Sequence, residues 1–299
     1  MQIYYPDVPD LPLPPGHRFP ASKYRQLKDR LSEPGRLGRA QLLPSPLATR
    51  NELLRAHSPA YVDAMLEGTP TPTMMREIGL PWSETLIRRS RATVGGTLAA
   101  ARSALRDGFS GQLAGGTHHA HQDFGSGFCV FNDFAVTARK LLDDGTVRRI
   151  AIVDLDVHQG DGNSAILGQD LRVHILSMHG AKNFPFKRVP STRDIELADG
   201  TDDTTYLNHL ANALDEVVRF APDLVLYLSG ADPLAADRLG RLSLTHDGLK
   251  ARDAHVFQTC HDHRIPVALA IGGGYAEPIE LTVDGYAGTF DAARTVYGF

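Results

Sequence analysis

The rhythm of apolar and polar positions changes near residue 85. Upstream, prolines break the pattern so often that only short helices are predicted, over 23–32, 50–56 and 58–67. The stretch EGTPTPTMMREIGLPWSE (67–84) is dense in Thr, Pro and Met, holds the only tryptophan, and reads as a long loop. Downstream the pattern is regular. A helix is predicted over 85–107, ending at Gly108, then a short strand over 111–115. The next helix, 132–143, puts Phe134, Ala138, Leu141 and Leu142 on one face and stops before Gly145. RRIAIVDLDV (148–157), RVHILSM (172–178), DLVLYLS (223–229) and IPVALAI (265–271) read as strands. Between and after them, helices are expected over 204–219, 247–262 and 282–297. Strands rich in Val, Ile and Leu that alternate with helices indicate a mainly parallel sheet covered on both faces. The expected fold is α/β, a single-domain three-layer sandwich over 1–299.

Composition narrows the field. Apolar residues make up 42% of the 299 and charged residues 22%, enough for a sizeable core. A net charge of −4 gives no basic footprint for nucleic acid, and Arg88-Arg89-Ser90-Arg91 is expected on a solvated helix face. Cys129 and Cys260 are the only cysteines, which argues against a disulfide scaffold and fits a cytoplasmic protein. The start MQIYYPDVPDLPLPPG lacks the basic and apolar regions of a secretory signal. No apolar run is long enough to span a bilayer.

Residues with chemistry gather at the strand ends. His118 and His119 follow the first strand; Asp154, Asp156 and His158 close the second, with Asp161 just beyond. Ser177, Met178 and His179 end the third, Gly230-Ala231-Asp232 the fourth, and Gly272-Gly273-Gly274-Tyr275 the fifth. The carboxyl ends of parallel strands share one edge, so five segments deliver His, Asp and Tyr to one rim. Asp156 and His158, two apart, leave the backbone on one side, and Asp232 completes a three-ligand metal site with positions open for water and substrate. Alone, Asp154 and Asp156 could simply cap backbone N–H groups; the convergence outweighs that. His118 and His119 are free for proton transfer, with Asp154 and Asp161 as the available carboxylates. His121 has no such partner in sequence and is expected to be a solvated loop residue.

GGTHHAHQDFGSGFCVFND, DLDVHQGDG, LSGADPLAADRLGRLSLT and IGGGY together resemble the zinc-dependent histone deacetylase family, in the arginase/deacetylase fold. The resemblance runs from about His17 to the last helix, and Gln159 and the DRLG-x-LS segment resemble the class IV branch. It implies Zn2+ on Asp156, His158 and Asp232, with Fe2+ also compatible with a mixed O/N set. His118 backed by Asp154 and His119 backed by Asp161 match the paired histidines, and Tyr275 matches the tyrosine that bonds the substrate carbonyl. Phe128 matches one aromatic wall of an acyl-lysine tunnel, Phe184 or Phe186 the other, and Leu239 the apolar rim. A structural K+ is implied at Asp154 and Ser177 with the carbonyls of Asp156, His158 and Met178. Three positions depart from the pattern: Gln159 replaces a second histidine, 70–84 lacks the rim aspartate, and Lys23 stands where many members carry arginine.

The expected activity is therefore amide hydrolysis, removing acetyl or longer acyl groups from the ε-amine of lysine in a protein or peptide. The glycine run before Tyr275 is expected to give that tyrosine freedom to swing inward. The alternatives are a deacetylase of a small acetylated amine and a silent acyl-lysine binder. A two-manganese ureohydrolase would need further bridging carboxylates, whereas Gln159-Gly160 and Pro233-Leu234 follow the ligands here. Oligomeric state is left open.

Overall fold

The structure, a computed structural model, describes residues 1–299. Eight strands form one sheet: β1 (Gln2–Tyr5), β2 (Gln41–Pro44), β3 (Phe109–Gln112), β4 (Ile150–Asp154), β5 (Val173–Gly180), β6 (Arg193–Leu197), β7 (Leu224–Leu228) and β8 (Val267–Ala270). Their order is β2-β1-β3-β8-β7-β4-β5-β6, and every pairing is parallel. The helices are α1 (Ser22–Ser32), α2 (Arg50–Leu53), α3 (Pro59–Glu67), α4 (Pro72–Ile78), α5 (Glu84–Asp107), α6 (Asp133–Asp143), α7 (Asp161–Leu167), α8 (Asp203–Phe220), α9 (His246–Asp262) and α10 (Glu280–Tyr297).

The two-residue period of the central strands divides the core in two. Val153, Met178, Val225, Tyr227, Val267 and Leu269 face one layer, with Leu210 and Val217 of α8, Val256 and Phe257 of α9, and Phe290 of α10. Ile150, Ile152, Ile175, Leu224, Leu226 and Ala268 face the other, with Val94 and Leu98 of α5 and Phe134 and Ala138 of α6. Strands buried on both faces carry apolar side chains at nearly every position, which made these the most legible elements.

The N-terminal region is not as irregular as its prolines suggest. β1 and β2 extend the sheet beyond β3, and β2, on the edge, exposes both its end residues. Nor is 67–84 a plain loop, because it contains α4. Thr71 caps that helix by accepting from Met74 N at 3.3 Å, Pro72 starts it, and Gly79 ends it at φ 77°. The short strand expected over 111–115 lies at Phe109–Gln112, and β5 continues past His179 to Gly180. No helix is long and apolar enough to cross a membrane.

Candidate active site

Asp156, His158 and Asp232 meet where the chain leaves β4 and β7, all buried, with one ligand atom from each lying within 4.8 Å of the others. His158 Nδ1 lies 2.9 Å from Asp156 Oδ1 and 3.2 Å from Asp232 Oδ2. Each carboxylate is also aimed from behind. Val157 N donates to Asp232 Oδ1 at 2.9 Å, and Gly273 N donates to Asp156 Oδ2 at 2.7 Å. Burial works to raise both carboxyls; the charges of His118 and His158 nonetheless hold Asp156 well below its usual range. Asp232 is raised, by burial and then by the charge of Asp156. Two buried carboxylates around one imidazole are a hard, mixed O/N donor set that fits a divalent cation.

The two histidines after β3 sit side by side, ring centroids 4.1 Å apart, each on its own aspartate. His118 Nδ1 donates to Asp154 Oδ2 and His119 Nδ1 to Asp161 Oδ1, both at 2.7 Å. Their environments separate them. Burial lowers His118, but Asp154 and Asp156 outweigh it and bring its pKa up to about 9. Burial and then the neighbouring His118 charge push His119 down to about 4. The two rings are thus shifted in opposite directions, His118 toward its charged form and His119 toward its neutral form.

His121 is not the solvated loop residue expected. The turn closed by His121 N donating to Phe124 O brings its ring back. There Nε2 donates to Asp161 Oδ2 at 3.0 Å and the ring stacks on Phe124 at 4.4 Å. Asp161 therefore serves two imidazoles. Burial would raise it, but those two bonds hold it below its ordinary range.

A cavity of about 550 Å³ opens onto this centre, lined among others by Phe128, Phe184, Phe186, Leu239 and Tyr275. Phe184 stands edge-on to His119, centroids 4.9 Å apart, while Phe186 is 89% exposed. Phe128, at φ 66°, packs on Phe19 at 5.4 Å and lies 6.2 Å from Tyr275. Burial pushes the Tyr275 hydroxyl well above its usual pKa, so it keeps its proton.

The glycines before Tyr275, expected to free that tyrosine, also allow a close approach. A Cβ on Gly273 would lie 1.8 Å from Asp232 Oδ2, and one on Gly272 2.6 Å from Asp156 Oδ2. They make room for the ligand carboxylates. Lys23, 1% exposed, donates to the carbonyls of Gly272 and Gly274 at 3.0 and 3.3 Å and so pins the same loop.

Sequence patterns missed several supports. Asp237 accepts from Tyr275 N at 2.6 Å and from Leu239 N and Gly240 N at 2.8 Å, tying the rim to the tyrosine. Its position five residues after Asp232 was the available signal. Arg252 of α9 donates to the carbonyl of Gly230 at 2.8 Å and forms a buried ion pair with Asp253, which also accepts from Tyr227 and Thr289. From α10, the Tyr286 hydroxyl donates to Gly273 O and accepts from Ala231 N. Helices thus stitch the ligand-bearing strand ends from behind. The arginine run is not wholly solvated either: Arg89 is half-buried and lines the cavity.

Asp154 and Ser177 pair across β4 and β5, and Ser177 Oγ lies 2.9 Å from His179 Nδ1. The buried carbonyls of Asp156 and His158 accept no hydrogen bond from the protein. Such orphaned acceptors beside a carboxylate suit a cation of the K+ type.

An all-parallel sheet with these paired His–Asp contacts and an Asp-His-Asp centre at its strand ends defines the arginase/deacetylase class. Residues 17–283 match the histone deacetylase domain, and the chain belongs to the histone deacetylase family. It is 44% identical over 296 residues to an uncharacterized protein of Picosynechococcus sp., covering 99% of this chain and 98% of that one. It is 32% identical to histone deacetylase 2 of Arabidopsis thaliana, covering 87% of this chain and 70% of the relative. It is 27% identical to the acetoin utilization protein AcuC of Staphylococcus aureus, over 86% and 72% of the two chains. In structure it is similar to the crystal structure of the HDA15 HD domain, with TM-score 0.80 and 20% identity over 99% of this chain and 88% of that one. Family membership supports a hydrolytic deacetylase.

Proposed function

We propose that this chain is a zinc-dependent deacylase, a single catalytic domain that removes an acyl group from the ε-amine of lysine in a protein or peptide. The observation that carries the reading is the junction of the Asp156–His158–Asp232 centre, two His–Asp pairs and Tyr275 at one cavity. A bound metal would polarise the substrate carbonyl and lower the pKa of water to about 7, from 15.7 in bulk.

The residues divide the remaining work. His119 keeps its Nδ1 proton on Asp161, so its Nε2 is free to take a proton from the attacking water and return it to the leaving amine. His118 holds positive charge next to Asp156, its Nε2 3.8 Å from Asp156 Oδ1, and opposes the negative charge that develops in the reaction. Tyr275, kept protonated by burial, donates to the carbonyl oxygen as it becomes an oxyanion. Phe128 and Phe184 offer apolar faces to a four-methylene stem, and Leu239 closes the rim. Phe184, beside His119, is the better candidate than the exposed Phe186 for the second wall. Asp154, Ser177 and the free carbonyls of Asp156 and His158, with that of Met178, would hold a structural K+. Both cysteines are buried and unpaired, which supports a reducing cytoplasm.

Amine release from lysine peptides carrying acyl groups from acetyl to myristoyl tests the proposal, using zinc-loaded protein with Asp156→Ala as control. Turnover that disappears in the control is expected, and the preferred chain length defines the acyl group. No turnover on any peptide would overturn the peptide reading and move attention to small acylated amines.

A further inference from the structure

The cavity has cations around its walls and almost no carboxylate to balance them. Arg18, Arg76, Arg89, Lys182 and Arg241 all line it; apart from the buried ligand Asp156, Glu77 is the one acid that does. This runs against the chain as a whole, whose net charge is −4. On one wall Lys182 and Arg241 share Asp199, at 3.4 and 3.2 Å. Arg18, Arg76 and Arg89 form no ion pair within 4.0 Å. Arg76 donates to Thr73 Oγ1, and the side chains of Arg18 and Arg89 donate to no protein acceptor.

Arg89 is the best placed of these. Its guanidinium carbon lies 3.9 Å from the centroid of the Tyr24 ring, and its N–H groups, which donate to no protein acceptor, are free for a planar, two-oxygen acceptor. Lys23 Nζ lies 5.1 Å from the Tyr24 ring and 5.1 Å from the Tyr275 ring, so Tyr24 and Lys23 connect Arg89 to Tyr275. Its neighbours along α5, Ser90 and Thr93, line the same space. Arg76 of α4, exposed to solvent, lines the cavity as well.

We infer that the substrate carries a carboxylate in addition to its scissile amide, and that Arg89 holds that carboxylate as a two-pronged acceptor. The inference rests on the deacylase reading and names its substrate class. The carboxylate belongs either to the end of a dicarboxylic acyl group or to an acidic side chain flanking the lysine. A basic peptide tail is disfavoured by the same cations.

The test reads binding, so that it does not depend on turnover. Calorimetry on full-length His119→Ala protein compares three peptides: acetyl-lysine with neutral flanks, succinyl-lysine with neutral flanks, and acetyl-lysine flanked by aspartates. At least one of the acidic peptides is expected to bind about tenfold or more tightly than the neutral one, and which one does identifies the source of the carboxylate. The ratio should shrink in high salt and fall to about one in an added Arg89→Met change, with Arg89→Lys intermediate because it keeps charge without the fork. Equal affinity for all three peptides, or a preference that survives Arg89→Met, overturns the inference. Absence of turnover by the parent protein would instead count against the deacylase reading and leave the binding result intact.

Discussion

Changing Gly273 to alanine separates two explanations for the glycine run. The added Cβ would lie 1.8 Å from Asp232 Oδ2 and 2.9 Å from Asp156 Oδ2, against ordinary contact from 3.4 Å. Something must therefore move by roughly 1.6 Å to restore ordinary contact. Asp232 has nowhere to go, being fully buried with its other oxygen held by Val157 N. Metal–ligand distances tolerate only about ±0.2 Å, so the displacement disrupts the centre. Changes to groups that merely support a ligand cost about 10–100-fold in metal affinity, and a displaced ligand should cost at least the upper figure. At a free zinc level about 100-fold above the parent Kd, that loss removes most of the ~2.7 kcal/mol of stabilisation zinc provides. Chelator competition measures the affinity, and melting curves with and without zinc measure the stabilisation. Gly288→Ala is the control: nothing lies within 4 Å of its Cβ, and on α10 it should stabilise by about 0.4–1 kcal/mol. If Gly273→Ala keeps the parent's zinc affinity and loses only turnover, the glycine serves the motion of Tyr275 and the steric account is wrong.

Three further outcomes follow from other parts of the structure. Tyr275→Phe should lower kcat by about 10²–10³-fold with zinc content unchanged; a loss under tenfold in steady-state kinetics would remove Tyr275 from the reaction. Arg252→Met leaves Asp253 buried without its cation and should cost about 3–5 kcal/mol in chemical denaturation, and a cost below about 1 kcal/mol would contradict the buried pair. His57 is buried as the neutral ring, donating from Nδ1 to His121 O and accepting at Nε2 from Asn132 N, and burial lowers its pKa to about 4. The unfolded chain takes up this proton first, so the contribution is full above about pH 6.5, is lost as pH falls toward 4, and amounts to about 3 kcal/mol. Unfolding free energies from pH 7 to 4 should fall less steeply in His57→Gln than in the parent.

How much of this was legible depended on whether a residue's partner left a local mark. β4, β7 and β8 were legible because burial on both faces demands unbroken apolar runs. β6, Arg193–Leu197, was not, since it lies on the edge and alternates charge with apolar residues. β1 and β2 were missed because four residues among prolines give no period to count. Asp156 and His158 declared themselves by a spacing of two, and the His118–His119 pair by adjacency. The partner of His121 lies 40 residues away, and Arg252-Asp253 looked like any charged pair on a helix surface. Both needed the third dimension. Arg89 was obscured in the same way, by a run of arginines that normally means a wet face.

The buried charges give the strongest argument for a metal, and no single motif contains it. Asp154, Asp156, Asp161, Asp232 and Asp237 all lie at or near the strand ends with at most 9% exposure. An unpaired carboxylate in such a place is costly, so each must be answered. His118 answers Asp154, His119 and His121 share Asp161, and three backbone N–H groups satisfy Asp237. The buried cations nearby are already committed: Lys23 to the glycine carbonyls and Arg252 to Asp253 and the Gly230 carbonyl. Asp156 and Asp232 are left with a few backbone donors, one shared imidazole between them, and His118 at 3.8 Å from Asp156. Gly272 and Gly273 leave the space into which both carboxylates pack, and a Cβ at either position would clash with them. Two buried carboxylates held this close around one imidazole suit a multivalent cation.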